Sequence, residues 1–215
     1  MDELDLFKKQ WQEREQDLPK LSYADIYKLL LKKSSSIVKW IFYISIGELV
    51  FWTILSLFVP ESSRKINDQL GLHEIFTVIN IINYLVIAFF IYLFYKNYRR
   101  IQTTDTTKEL MQNILKTRKT VKYFVIYNVG SFILLFTLIN VFYYLHSGIL
   151  FDLIRKSEET YETIPEDDFK TYFFIGQLIF GALFLIFILI FYRIIYGILL
   201  KRLNKNYKEL KKIEL

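Results

Sequence analysis

The stretch YFFIGQLIFGALFLIFILIFYRIIY, from Tyr172 to Tyr196, decides the fold. Its one charged residue, Arg193, lies near its end, and its length exceeds the roughly 20 residues with which a helix crosses about 30 Å of hydrocarbon. Runs of the same character occupy residues 37–59, 75–95 and 123–145. In lipid each backbone N–H and C=O must be satisfied within the spanning segment, so each run reads as a helix. The chain is therefore expected to be an all-α, polytopic membrane protein: a four-helix transmembrane bundle with helical extensions into the cytoplasm.

Of 215 residues, few remain outside these runs, too few for a separate globular domain of ordinary size. The expected organisation is a polar, amphipathic segment over 1–36, a membrane domain over 37–200 with a loop at 96–122, and a helical tail over 201–215. Met1 to Ser36 lacks a short apolar core followed by a small-residue cleavage site, so the first span is expected to act as its own insertion signal. The absence of cysteine excludes disulfides, thiolate zinc sites and cysteine nucleophiles.

Orientation follows from lysine and arginine, which are retained on the cytoplasmic side of a span. They crowd the segment before the first span (Lys8, Lys9, Arg14, Lys20, Lys28, Lys32, Lys33), the loop Lys96–Lys122 and the tail from Arg193. The other two loops hold only Arg64, Lys65, Arg155, Lys156 and Lys170. Both termini and the middle loop are expected in the cytoplasm of a bacterium, at its inner membrane. The net charge of +6 reflects this asymmetry and attraction to anionic headgroups, with no direct nucleic-acid partner implied. Trp40, Tyr43, Tyr95, Tyr98, Tyr123, Tyr192 and Tyr196 read as an inner aromatic belt, and Tyr143, Tyr144 and Tyr172 as an outer one.

Thr106-x-x-Glu109 has the form of a capping box, followed by Leu110, Met111, Ile114 and Leu115 at helical spacing. Leu200, Leu203, Tyr207 and Leu210 extend the fourth span as a short heptad-like seam. Ahead of the first span, Leu4, Phe7 and Trp11 describe a short amphipathic helix that Leu18-Pro19 ends. A second helix starts at Ser22-x-x-Asp25 and presents Ile26, Tyr27 and Leu30 before Lys32-Lys33-Ser34-Ser35-Ser36 leads into the membrane. Helices this short need a surface to fold on, so Leu4, Phe7, Trp11, Ile26, Tyr27 and Leu30 are the candidate partner-binding residues.

Glu48 falls at the midpoint of the first span, where an unpaired charge costs about 3 kcal/mol on insertion scales. It is expected to face the bundle interior as a neutral carboxylic acid held by amides, with Asn80, Asn83, Asn128 and Gln177 as the polar residues at hand. Either a packing clamp or a proton or cation relay follows. No paired catalytic carboxylates, nucleophile with base, metal cluster or cofactor motif accompanies it. The loop His146–Thr171 is acidic but lacks the alternating ligands and central glycine of a calcium loop, and His73 and His146 stand alone.

The residues Leu6-Phe7-Lys8-Lys9-Gln10-Trp11, Pro19-Lys20-Leu21-Ser22, Ile26-Tyr27-Lys28 and Lys32-Lys33-Ser34-Ser35-Ser36-Ile37-Val38-Lys39-Trp40-Ile41-Phe42 resemble the N-terminus of an uncharacterised four-span membrane family of flavobacteria and their relatives. Beyond the first third the similarity is one of layout. Some members are labelled carotene-cleaving oxygenases, a chemistry that requires clustered histidine ligands to iron. Others are encoded beside extracytoplasmic-function sigma factors, which implies an anti-sigma-like role, although the N-terminus lacks a zinc-binding His and Cys pattern. Together the residues and the resemblance point to a non-enzymatic regulatory or scaffolding protein that tethers a cytoplasmic partner, a sigma factor or other regulator, with a homo-oligomer as a further form. A small transporter or channel subunit using Glu48 is the alternative, and a membrane enzyme acting on lipid or carotenoid ranks third.

Overall fold

A computed structural model describes residues 22–157 and 165–214. The described residues form helices and no strand: α1 (Tyr23–Leu57), α2 (Glu61–Gln69), α3 (His73–Gln102), α4 (Thr107–Leu145), α5 (Ser147–Ser157) and α6 (Glu166–Glu214). Helices α1, α3, α4 and α6, of 35, 30, 39 and 49 residues, are long and apolar enough to cross a membrane. At about 1.5 Å per residue each outruns a hydrocarbon core about 30 Å thick. They run alternately up and down, with α1 packed on α3 and α6 and with α4 closing the ring between α3 and α6. The start of α1 and the end of α6 share one end of the bundle with the tight α3–α4 turn, while α2 and α5 cover the other.

Local signals set the helix starts. Ser22 caps α1 in a complete capping box: its hydroxyl accepts from the Asp25 N–H at 3.2 Å, and the Asp25 carboxylate accepts from the Ser22 N–H at 3.2 Å. Thr106 caps α4, its Oγ1 accepting from the Glu109 N–H at 3.3 Å. Gly71 takes φ 73° in the turn between α2 and α3, a conformation that a side chain would strain.

The cap makes one end of α1 pH-sensitive. The hydrogen bonds from Ser22 hold the Asp25 carboxyl below its ordinary value of 3.8. That contribution is complete above the unfolded aspartate value and is lost as pH falls through the lower folded one. The protection of the amides at Ile26 to Lys28, taken against the intrinsic exchange rate at each pH, is expected to fall as pH drops below about 5, and Ser22→Ala is expected to remove that dependence. Protection that stays constant with pH in the unaltered protein would show the box unformed in solution.

No break separates the polar approach from the first span. Helix α1 runs straight through Lys32-Lys33-Ser34-Ser35-Ser36, because Ser34 turns inward and its hydroxyl accepts from Asn206 Nδ2 of α6 at 3.0 Å. Helix α6 likewise continues unbroken beyond residue 200, with Leu203 and Leu210 fully buried. The four long helices thus extend past the apolar segment as a stalk at the terminal end. Its core comprises Leu30, Ile101, Leu110 and Ile114 with Leu203 and Leu210 of α6, and it continues without interruption into the apolar segment through Val121, Val38, Ile41, Phe94 and Phe124.

Polar clips pin neighbouring stalk helices together. Asn97 donates to Thr120 at 3.1 Å between α3 and α4, and Arg118 donates to Asn204 at 2.9 Å between α4 and α6. Tyr23 and Thr107 share a hydrogen bond of 2.7 Å, and Tyr27 donates to the Thr104 carbonyl at 2.7 Å. The opposite half is more open. Its contacts are mainly aromatic, such as Trp52 on Phe184 with ring centroids 5.9 Å apart and Phe132 on Phe184 at 5.2 Å. Close approach of α4 and α6 depends on Gly181, where an added Cβ would clash with the Phe136 ring.

Candidate functional site

Where stalk meets open half, Glu48 of α1 is buried at 7% exposure and faces α6. Tyr192 donates its hydroxyl hydrogen bond to Glu48 Oε1, and Tyr196 donates to Glu48 Oε2 at 3.1 Å. The two tyrosines stand four residues apart on α6, so both rings share one helix face and reach the same carboxyl group. Each carboxyl oxygen thereby has a donor, which is how a buried polar group becomes affordable in an apolar bundle.

Behind the tyrosines, Phe124 of α4 fills the centre. Its ring centroid lies 5.8 Å from that of Tyr196, 6.4 Å from Tyr192 and 5.4 Å from both Phe90 and Phe94 of α3. All four long helices therefore meet at one level, α1 through Glu48 and the others through aromatic rings.

The sequence placed Glu48 correctly inside the bundle but pointed to amides as its partners; in the structure it is held by the two phenols, with Trp52 of its own helix as a further side-chain hydrogen-bond partner. Asn83 instead accepts from Tyr127 of α4 at 3.0 Å. Asn128 donates to the Phe124 carbonyl of its own helix at 2.8 Å. Asn80 is exposed, and Gln177 lies about 22 Å from Tyr192 along the axis of α6. The physical reason is angular for the asparagines, since residues meet only if their helix faces coincide, and axial for Gln177, which stands at another depth. Tyr192 and Tyr196, expected in the inner belt, are buried instead. A tyrosine pair four apart, and so on one face of the fourth span, was the available signal.

Asn80, Asn83 and Asn128 do share a site. With Trp52, Ser131 and Tyr192 they line a cavity of about 270 Å³ between the four long helices, on the side of Glu48 away from the stalk. Its amides and hydroxyls supply the several polar partners that a buried water or a small polar ligand needs. Tyr192 belongs both to this wall and to the Glu48 latch.

The proposed partner face is divided. Leu30 is turned into the stalk core, Ile26 and Tyr27 pack half-buried against it, and Leu4, Phe7 and Trp11 lie outside the described residues. His73 Nδ1 sits 2.9 Å from Asp68, and the His146 ring stacks on Phe142 with centroids 4.3 Å apart, so the histidines serve separate local contacts.

Comparison with protein families matches residues 24–215 to the Domain of unknown function DUF8845, and the chain belongs to that family. No curated protein and no solved structure matches the chain.

Proposed function

We propose that this member of the DUF8845 family is a non-enzymatic regulatory membrane protein, which holds a soluble protein partner at the membrane and retains or releases it according to the state of its bundle. One observation carries the reading: the two helices that the Glu48 latch joins, α1 and α6, carry the chain's two ends out of the stalk and are clipped together there again by Ser34 and Asn206. A helix transmits rotation and translation along its length. A ligand or lipid that alters the latch would therefore shift the stalk register at Tyr27 and Leu30, directly after the segment carrying Leu4, Phe7 and Trp11.

The partner and orientation belong to the same reading. The basic residues at the terminal end favour a cytoplasmic stalk at a bacterial inner membrane, and the N-terminal resemblance favours a sigma factor or another soluble regulator as partner. The transporter reading draws support from the polar cavity beside Glu48. Against it, the stalk side of Glu48 is filled by Val38, Ile41, Phe94, Ile101 and Val121, all fully buried, which leaves a cavity on one side only.

Affinity purification from gently solubilised native membranes, comparing the full-length protein with Phe7→Ala/Trp11→Ala, separates the two. A soluble protein retained by the unaltered chain and lost from the variant is the expected result. If no soluble protein depends on those residues, and proteoliposomes carry a proton or cation flux that Glu48→Gln abolishes, the transporter reading replaces it.

A further inference from the structure

On the outer surface of the bundle, α4 and α6 enclose a groove of about 630 Å³ near the start of the stalk. Arg118, Lys119 and Lys122 border it from α4 and Arg193 from α6. No ion pair among the described residues involves these four cations. The sequence explains why: α4 carries no acid after Glu109, and α6 carries none between Asp168 and Glu209. The nearest intramembrane carboxyl, Glu48, is buried on the far side of the tyrosines. Two of the cations are held by neighbours. Arg118 is oriented by Asn204 at 2.9 Å, and the Lys119 ammonium lies 5.7 Å from the centre of the Tyr123 ring.

The groove also has depth and direction. At Gly197 an added Cβ would meet nothing within 4 Å, so its floor is open between the cations. Toward the middle of the membrane the lining turns apolar through Val125, Ile126 and Leu189. Cations at the interface followed by an aliphatic strip reproduce the order of a phospholipid, headgroup then chain. We propose that this groove is a binding site for an anionic glycerophospholipid, its phosphate among Arg118, Lys122 and Arg193 and one acyl chain along the strip. Tyr192 and Tyr196 form part of the groove wall, so an occupant touches the rings that hold Glu48. The site stands independently of the tethering function.

Native mass spectrometry of the delipidated full-length protein, titrated with phosphatidylglycerol or phosphatidylcholine of identical chains, tests the proposal. One phosphatidylglycerol is expected to bind at least about tenfold more tightly than phosphatidylcholine. Arg118→Gln/Lys122→Gln is expected to abolish that preference. Gly197→Phe, which grows into open space, is expected to block the site with the unfolding midpoint unchanged. Excess glycerol 3-phosphate is expected to leave the lipid bound, since it lacks the chain. Equal binding of the two lipids, a preference that survives both variants, or displacement by glycerol 3-phosphate would each overturn a lipid site, the last in favour of a soluble anion.

Discussion

Phe124→Ala is expected to destabilise the bundle by about 3 kcal/mol, in the range for emptying a phenylalanine site from a packed interior. The ring is 1% exposed and touches aromatic side chains from α3 and α6, so its removal leaves a void at the one level where all the long helices converge. Between membrane helices, packing and not water exclusion supplies the association energy, which makes such a void costly in lipid as well as in water. Unfolding in mixed micelles with increasing dodecyl sulfate measures the loss. A change below about 1 kcal/mol would mean that the helices do not converge on this ring.

Glu48→Leu is expected to cost about 2 kcal/mol, because it strands the Tyr192 and Tyr196 hydroxyls without an acceptor in the bundle interior. The asymmetry between losing one partner and losing both provides the control. Glu48→Leu/Tyr192→Phe/Tyr196→Phe removes donors and acceptor together and is expected to recover stability to within about 1 kcal/mol of the unaltered protein. If the triple variant is no more stable than Glu48→Leu, the carboxyl and the phenols are not partners. The single variant also bears on function: with the latch gone and the stalk clips intact, the stalk should lose its coupling to the membrane half before it loses its own fold.

Those two positions differ in how visible they were. Glu48 was conspicuous because an acid in the middle of an apolar run is rare and expensive, so chemistry alone marked it. Phe124 was one of many phenylalanines, and nothing in composition or spacing separates a ring at the bundle centre from one that faces lipid. Tyr192 and Tyr196 looked like belt residues because belt tyrosines and buried tyrosines obey the same residue preference near the end of a span. The basic groove had a partial signature in the acid-free stretches of α4 and α6, yet which cations of α4 share it with Arg193 of α6 depends on the rotation of each helix.

The sequence by itself determined the four helices long and apolar enough to cross a membrane, the caps at Ser22 and Thr106 and the continuation of α6 through Leu203 and Leu210, though not the full length of each helix. Each of these is local: hydropathy over about 20 residues, or a side chain bonding a backbone N–H three residues on. Only the tertiary structure decided that Glu48 meets tyrosines 144 and 148 residues away, that Asn206 reaches back to Ser34, and that Asn80, Asn83 and Asn128 line a cavity without touching the acid. Those pairings depend on the rotation and register of one helix against another, which are set jointly by all the interhelical contacts and have no representation in any single stretch of chain.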